Sequence, residues 1–155
     1  MSARLITLVL LGVALCCWSA ADRFGGLAVA KGVSGRFAVA DSGKTVLDRS
    51  TGLVWERAYS PQPLAWQLAK DRCSQNVPGL PGAGWRLPNR AELLALVDSA
   101  TWNPAIDPVF TATPSDYFWS STPLAKSAVV WLVQFKWGQA QTQAATAAAF
   151  ARCVR

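Results

Sequence analysis

Gly84-Trp85-Arg86-Leu87-Pro88-Asn89-Arg90-Ala91-Glu92-Leu93-Leu94-Ala95-Leu96-Val97 is the stretch whose reading decides the fold. A short extended piece turns at Pro88 and opens a helix, because Asn89 is a strong N-cap and Glu92 stands three residues on, the spacing of a capping box. Leu93, Leu94, Leu96 and Val97 give that helix a broad apolar face. An apolar segment ending near Cys73 precedes it, and a run of strands ending at Cys153 follows.

On the N-terminal side, Asn76 to Gly84 is a turn-dense loop with Pro78, Gly79, Pro81 and Gly82. Before it, Leu64 to Ser74 has helical spacing, with Ala65, Leu68, Ala69 and Cys73 on one face and Lys70, Asp71 and Arg72 off it. Pro61 and Pro63 separate this helix from two β-rich runs, Thr45–Asp48 and Leu53–Arg57, joined by the polar turn Arg49-Ser50-Thr51-Gly52. That pattern predicts a hairpin with Trp55 facing the core. Gly35–Val39 alternates and predicts a first strand. On the C-terminal side, Ser99–Ser115 holds three prolines and predicts a long ordered loop. Strands follow at Tyr117–Thr122, Ala128–Phe135, near Ala140–Gln143 and at Ala151–Arg155. Lys136–Gln139 is a turn, and the Ala-rich Thr142–Phe150 segment reads as a loop rather than a short helix.

Residues 1–21 read as a secretory signal peptide: Arg4, an apolar run from Leu5 to Trp18, then Ser19-Ala20-Ala21. An uncleaved anchor is the alternative. Neither Cys16 nor Cys17 follows the small residue that lipid attachment needs. Residues 22–34 are a Gly/Ala-rich spacer, and residues 35–155 make one domain. The chain is therefore expected to be exported, to the periplasm or beyond the cell. Of four cysteines, Cys73 and Cys153 remain in the mature part, an even number in an exported chain. A bridge between them closes a loop of roughly 80 residues and disfavours the unfolded chain by about 4.5 kcal/mol. Two free thiols are the other possibility.

The mature part holds 14 basic and 9 acidic residues once Arg4 is removed, a net charge of +5. This surplus suits polyanions, but it is scattered, which argues against a nucleic-acid arm. The sequence contains no histidine, so His general bases, Ser-His-Asp and Cys-His nucleophiles and most zinc sites are excluded. The carboxylates are dispersed, and Asp98, Asp107 and Asp116 read as turn residues. Only Asp107 with Asp116 invites a calcium reading, and no metal is assigned. No enzyme activity and no cofactor are expected.

Five motifs resemble one family in order and spacing. Asp48-Arg49-Ser50-Thr51-Gly52-Leu53-Val54-Trp55 resembles its D-x-x-T-G-L-x-W hairpin, and Trp85-Arg86-Leu87-Pro88-Asn89-Arg90-Ala91-Glu92-Leu93 its W-R-L-P-x-x-x-E-L signature. Asn103-Pro104-Ala105-Ile106-Asp107, Phe118-Trp119-Ser120-Ser121-Thr122 and Arg152-Cys153-Val154-Arg155 are similar to its N-P-A-I-D, Y/F-W-S-S-T and R-C-V-R segments. The family is the Lcl C-terminal domain, named for the Legionella collagen-like adhesin. The resemblance implies an α+β, C-type-lectin-like fold, with two helices packed on small antiparallel sheets and the ends bridged by one disulfide. Trp55, Trp85, Arg86, Pro88, Glu92 and Trp119 are its structural motif residues. It also implies an adhesin-like module that binds sulfated glycosaminoglycans without a calcium site. The adhesin's Gly-X-Y stalk is absent from this sequence, so no trimer is expected from it.

Arg86 is expected to anchor loop carbonyls internally. For an anionic ligand the candidates are Arg90, Lys126 and Lys136, in turns or on an outer helix face. Trp102 and Trp137, in a loop and a turn, are candidate platforms for sugar rings, the alternative being burial under a loop. The expected function is a non-enzymatic exported module that recognises an anionic glycan or a surface protein. The competing reading is a structural subunit of an envelope complex that binds no sugar.

Overall fold

The computed structural model describes residues 35–155. The signal-peptide reading of residues 1–21 and the spacer at 22–34 lie outside the described residues. Two three-stranded antiparallel sheets and two short helices make up the fold, so its class is α+β.

The first sheet is a meander of β1 (Phe37–Ala40), β2 (Thr45–Asp48) and β3 (Val54–Glu56). The β2–β3 hairpin closes through Asp48, whose carboxylate accepts from the Ser50 N–H at 3.0 Å and the Ser50 hydroxyl at 2.6 Å. Gly52 completes the turn at φ +74°, a conformation costly for any residue with a Cβ. The first strand begins two residues later than the alternation suggested, because Gly35 and Arg36 form a turn.

Helix α1 (Trp66–Ser74) follows, then α2 (Arg90–Leu94), then the second sheet of β4 (Tyr117–Pro123), β5 (Val129–Gln134) and β6 (Gln139–Ala144). Pairing Phe118 with Val133 and Trp119 with Leu132 turns alternate residues to opposite faces. On one face Phe118 and Val133 pack with Leu93 and Leu96 from the α2 segment. On the other, Trp119, Leu132 and Val130 pack with Ala69 and Cys73 from α1. The second sheet thus carries two apolar cores, one under each helix.

The α2 start matches its sequence reading. The Asn89 side chain accepts from the Glu92 N–H at 2.9 Å, and the Glu92 carboxylate accepts from the Asn89 N–H at 2.8 Å. The helix stops at Leu94, earlier than its apolar pattern implied, because Val97 bridges instead to Ile106. On α1, Leu68 is exposed, whereas Arg72, expected off the buried face, points inward. Leu64 pairs with Ala149 in place of starting that helix.

The C-terminal segment is not the independent strand expected at Ala151–Arg155. It is held by backbone bonds on two sides. Val54 exchanges both bonds with Arg155, Glu56 donates to the Cys153 carbonyl at 2.8 Å, and Arg86 exchanges both bonds with Val154. Cys73 and Cys153 form a disulfide with Cα atoms 5.3 Å apart. Beside it the Arg72 guanidinium makes a two-point bond with Glu56, at 2.5 and 2.8 Å. Glu56 also accepts the Cys153 N–H at 3.0 Å, and Arg72 lies 3.2 Å from Cys153 Sγ. Both side chains are nearly buried.

Arg152, next along, is fully buried between the rings of Phe110 and Phe118. It donates to the Ala58 carbonyl and to the Thr113 hydroxyl. Burial pushes its pKa down to about 10, so it remains charged at neutral pH.

Removing one partner of a buried pair leaves an uncompensated charge. Glu56→Gln is therefore expected to cost about 3 kcal/mol in urea unfolding. Replacing both Cys73 and Cys153 by Ser should cost about 2–5 kcal/mol. Gln143→Ala, at an exposed strand position, should stay within about 0.5 kcal/mol of the parent.

Candidate functional site

Seven of the basic residues fall into two groups by what holds them. Three arginines are spent on carboxylates. Arg36 pairs with Asp48 at 2.6 Å, Arg72 with Glu56 and Arg86 with Glu92 at 2.7 Å. Arg86 is therefore not the internal carbonyl anchor expected. It is about half exposed, and its fork closes on the helix-capping carboxylate. Four other cations lie over indole rings. Lys70 Nζ is 3.7 Å from the Trp66 centroid, and Arg90 Cζ is 3.9 Å from that of Trp131. Lys136 Nζ is 5.1 Å from Trp137, and Arg155 Cζ is 5.5 Å from Trp85. A cation stacked on an aromatic face keeps its whole charge, whereas one paired with a carboxylate does not.

Trp102 and Trp137 meet at the far end of the second sheet. Their rings are parallel within 3°, with centroids 6.2 Å apart. Both stand out in solvent, Trp102 at 71% and Trp137 at 54% exposure, so burial under a loop is ruled out. The backbone explains the pairing. The Asn103 N–H donates to the Lys136 carbonyl at 3.1 Å, and the Ala105 N–H to that of Phe135. These bonds tie the proline-rich loop to the β5–β6 turn. Gly138 permits the turn, because a Cβ there would stand 2.4 Å from Val97 Cγ1.

The structure therefore unites Trp102, Trp137 and Lys136. It does not bring Lys126 to them: Lys126 sits exposed in the β4–β5 turn, at the other end of β5. Arg90 lies beside β4, its N–H donating to the Thr122 hydroxyl at 3.0 Å. Trp55, Trp85, Pro88 and Trp119 are buried structural residues. A cleft lined by Thr101, Pro104, Ile106, Asp107, Phe110 and Thr113 carries no cation, which makes it a poor receptacle for an anion. Asp107 is used by the Val109 N–H and Asp116 by the Tyr117 N–H. Among the described residues no three His, Cys, Asp or Glu side chains converge as metal ligands, and no helix is long and apolar enough to cross a membrane.

Sequence reasoning missed the Arg72–Glu56 pair, the buried Arg152 and the stacking of Arg90 on Trp131. The second had a visible signal: Arg152 interrupts the apolar run Ala149–Val154 and must find a partner there. The third had none, since Arg90 and Trp131 are far apart in the chain.

Fold and surface together define a disulfide-closed α+β domain that carries solvent-facing, indole-backed cations. The chain belongs to the Lcl C-terminal domain family, which matches residues 44–155. No curated protein matches it.

Two carboxylates tie charge to pH. Burial alone would raise the Asp48 pKa, but hydrogen bonds from Arg36 and Ser50 outweigh it and hold the carboxyl well below the usual range. Glu92 is lowered by Arg86 first, against burial, and by the Asn89 N–H. A carboxyl depressed by folding stabilises the native state fully above its unfolded pKa, near 4, and loses that contribution as pH falls toward the folded value. The melting temperature should therefore drop below about pH 4. Asp48→Asn should shrink that drop in a thermal series from pH 7 to pH 2.

Proposed function

We propose that this chain is an exported, non-enzymatic binding module of C-type-lectin-like fold that recognises an anionic glycan of the sulfated polysaccharide class. The observation that carries this reading is the Trp102–Trp137 pair with Lys136 against it: two solvent-facing parallel indoles beside a cation that no carboxylate among the described residues neutralises. Indole faces accept the C–H faces of sugar rings, and the ammonium meets a sulfate or carboxylate. The net positive charge favours the same ligand at longer range. Membership of the adhesin's domain family supports an adhesin-like role and an exported location.

A glycan array and a heparin column, each run at two salt concentrations, test the reading. Retention should fall with added salt, because exposed charge pairs are screened. Trp137→Ala should weaken binding about fivefold, the equivalent of roughly 1 kcal/mol for one lost aromatic contact. A blank array, or retention indifferent to salt, would overturn it.

A further inference from the structure

The indole-backed cation at Arg90 stands on the same face of the second sheet as the α2 helix. Trp131 belongs to the β5 face that also carries Val133, which packs with Leu93 and Leu96. The Arg90 guanidinium lies over its ring with Cζ 3.9 Å from the centroid. Its Nε is buried without a hydrogen-bond partner, and no side-chain nitrogen of Arg90 bonds to another described residue. The terminal N–H groups of a planar, permanently charged fork are thus unspent, in a residue backed by the Trp131 ring.

From this station β5 runs to the other one. β5 ends at Gln134 and Lys136 stands in the turn that follows, so Trp131 and Lys136, five residues apart, are separated by no more than roughly 16 Å. The α2 segment covers the same interval: Arg90 begins the helix, and Val97, just past its end, meets the Gly138 turn beside Trp137. The exposed residues of that segment, Ala91 and Ala95, are small and uncharged, as are Ala140 and Thr142 on neighbouring β6. Of the two carboxylates on this segment, Glu92 is paired with Arg86, whereas Asp98 accepts the Ala100 N–H and keeps its charge.

We propose that Arg90 on Trp131 and Lys136 on Trp137 are two stations of one track along α2 and β5, built for a linear polyanionic glycan that spans both. This rests on the anionic-glycan reading above and adds to it a length requirement and a second contact residue. A single sugar with one acidic group reaches one station only. A chain longer than roughly 16 Å engages both, and the second contact is then intramolecular, which multiplies affinity.

The test is a ladder of heparin oligosaccharides of increasing length, titrated calorimetrically against the parent, Arg90→Gln, Lys136→Ala and, as a control on the opposite sheet, Arg49→Gln. Gln at position 90 keeps a stem and a planar amide over Trp131 while removing the charge. For the parent, affinity should step up at least tenfold once the oligosaccharide spans the two stations. In Arg90→Gln that step should vanish while short oligosaccharides bind as to the parent, and Arg49→Gln should behave as the parent throughout. The length series on the parent needs no substitution, so it decides the matter even if a variant misfolds. Binding that is independent of length, with Arg90→Gln unchanged, would overturn the track and leave the Trp102–Trp137 site standing. Failure of every oligosaccharide to bind would overturn both.

Discussion

The buried carboxylate of Glu56 sits where β3, helix α1 and the C-terminal segment meet. It neutralises Arg72 of α1, accepts the backbone N–H of Cys153 and lies on β3, whose own N–H bonds to the Cys153 carbonyl. Removing the charges from water costs several kcal/mol each, and only this full set of partners offsets it. β3, α1 and the chain end thus meet at one carboxylate beside the Cys73–Cys153 bridge. The disulfide holds covalently the same two segments that the carboxylate joins by hydrogen bonds.

The same economy of charge organises the surface. Three arginines that fix structure are paired with acids: beside Arg72 on Glu56, Arg36 clamps the first hairpin through Asp48, and Arg86 reinforces the α2 cap through Glu92. Cations left for other purposes are backed by indoles, which orient them without cancelling them. The chain carries many tryptophans for its size, and they divide accordingly. Trp55, Trp85 and Trp119 fill the interior, whereas Trp102 and Trp137 stand outside as a rigid pair. A loop and a turn can present such a pair only if their backbones are tied down. The bonds from Asn103 and Ala105 to the β5–β6 turn do this.

Much of the architecture was legible in local chemistry. The capping box at Asn89 and Glu92, the hairpin turn at Arg49–Gly52, and the turn joining β5 to β6 all follow from short-range patterns, and the structure has them where expected. Readings failed where a distant partner outbid a local preference. Leu64 left the α1 pattern to pair with Ala149, and Val97 left the α2 pattern for Ile106. Residues at the chain end became bridges because Trp55 and Arg86 flank Val154 from two directions. Of the candidate ligand residues, Trp102, Trp137 and Lys136 lie together because a loop and a turn happen to be hydrogen-bonded. Lys126, equally plausible by composition, sits at the opposite end of the strand. No spacing in the sequence distinguishes the two lysines.

The central claim is that the chain end, clasped by Glu56 and the disulfide, is the last part of the molecule to open. Native-state hydrogen exchange measures this amide by amide. The account predicts that the N–H groups of Val54, Glu56, Arg86, Cys153 and Val154 exchange together, with an opening free energy equal to that of global unfolding. If those five exchange through a lower-energy opening while the β4–β5 amides remain protected, the clasp is peripheral and the account is contradicted.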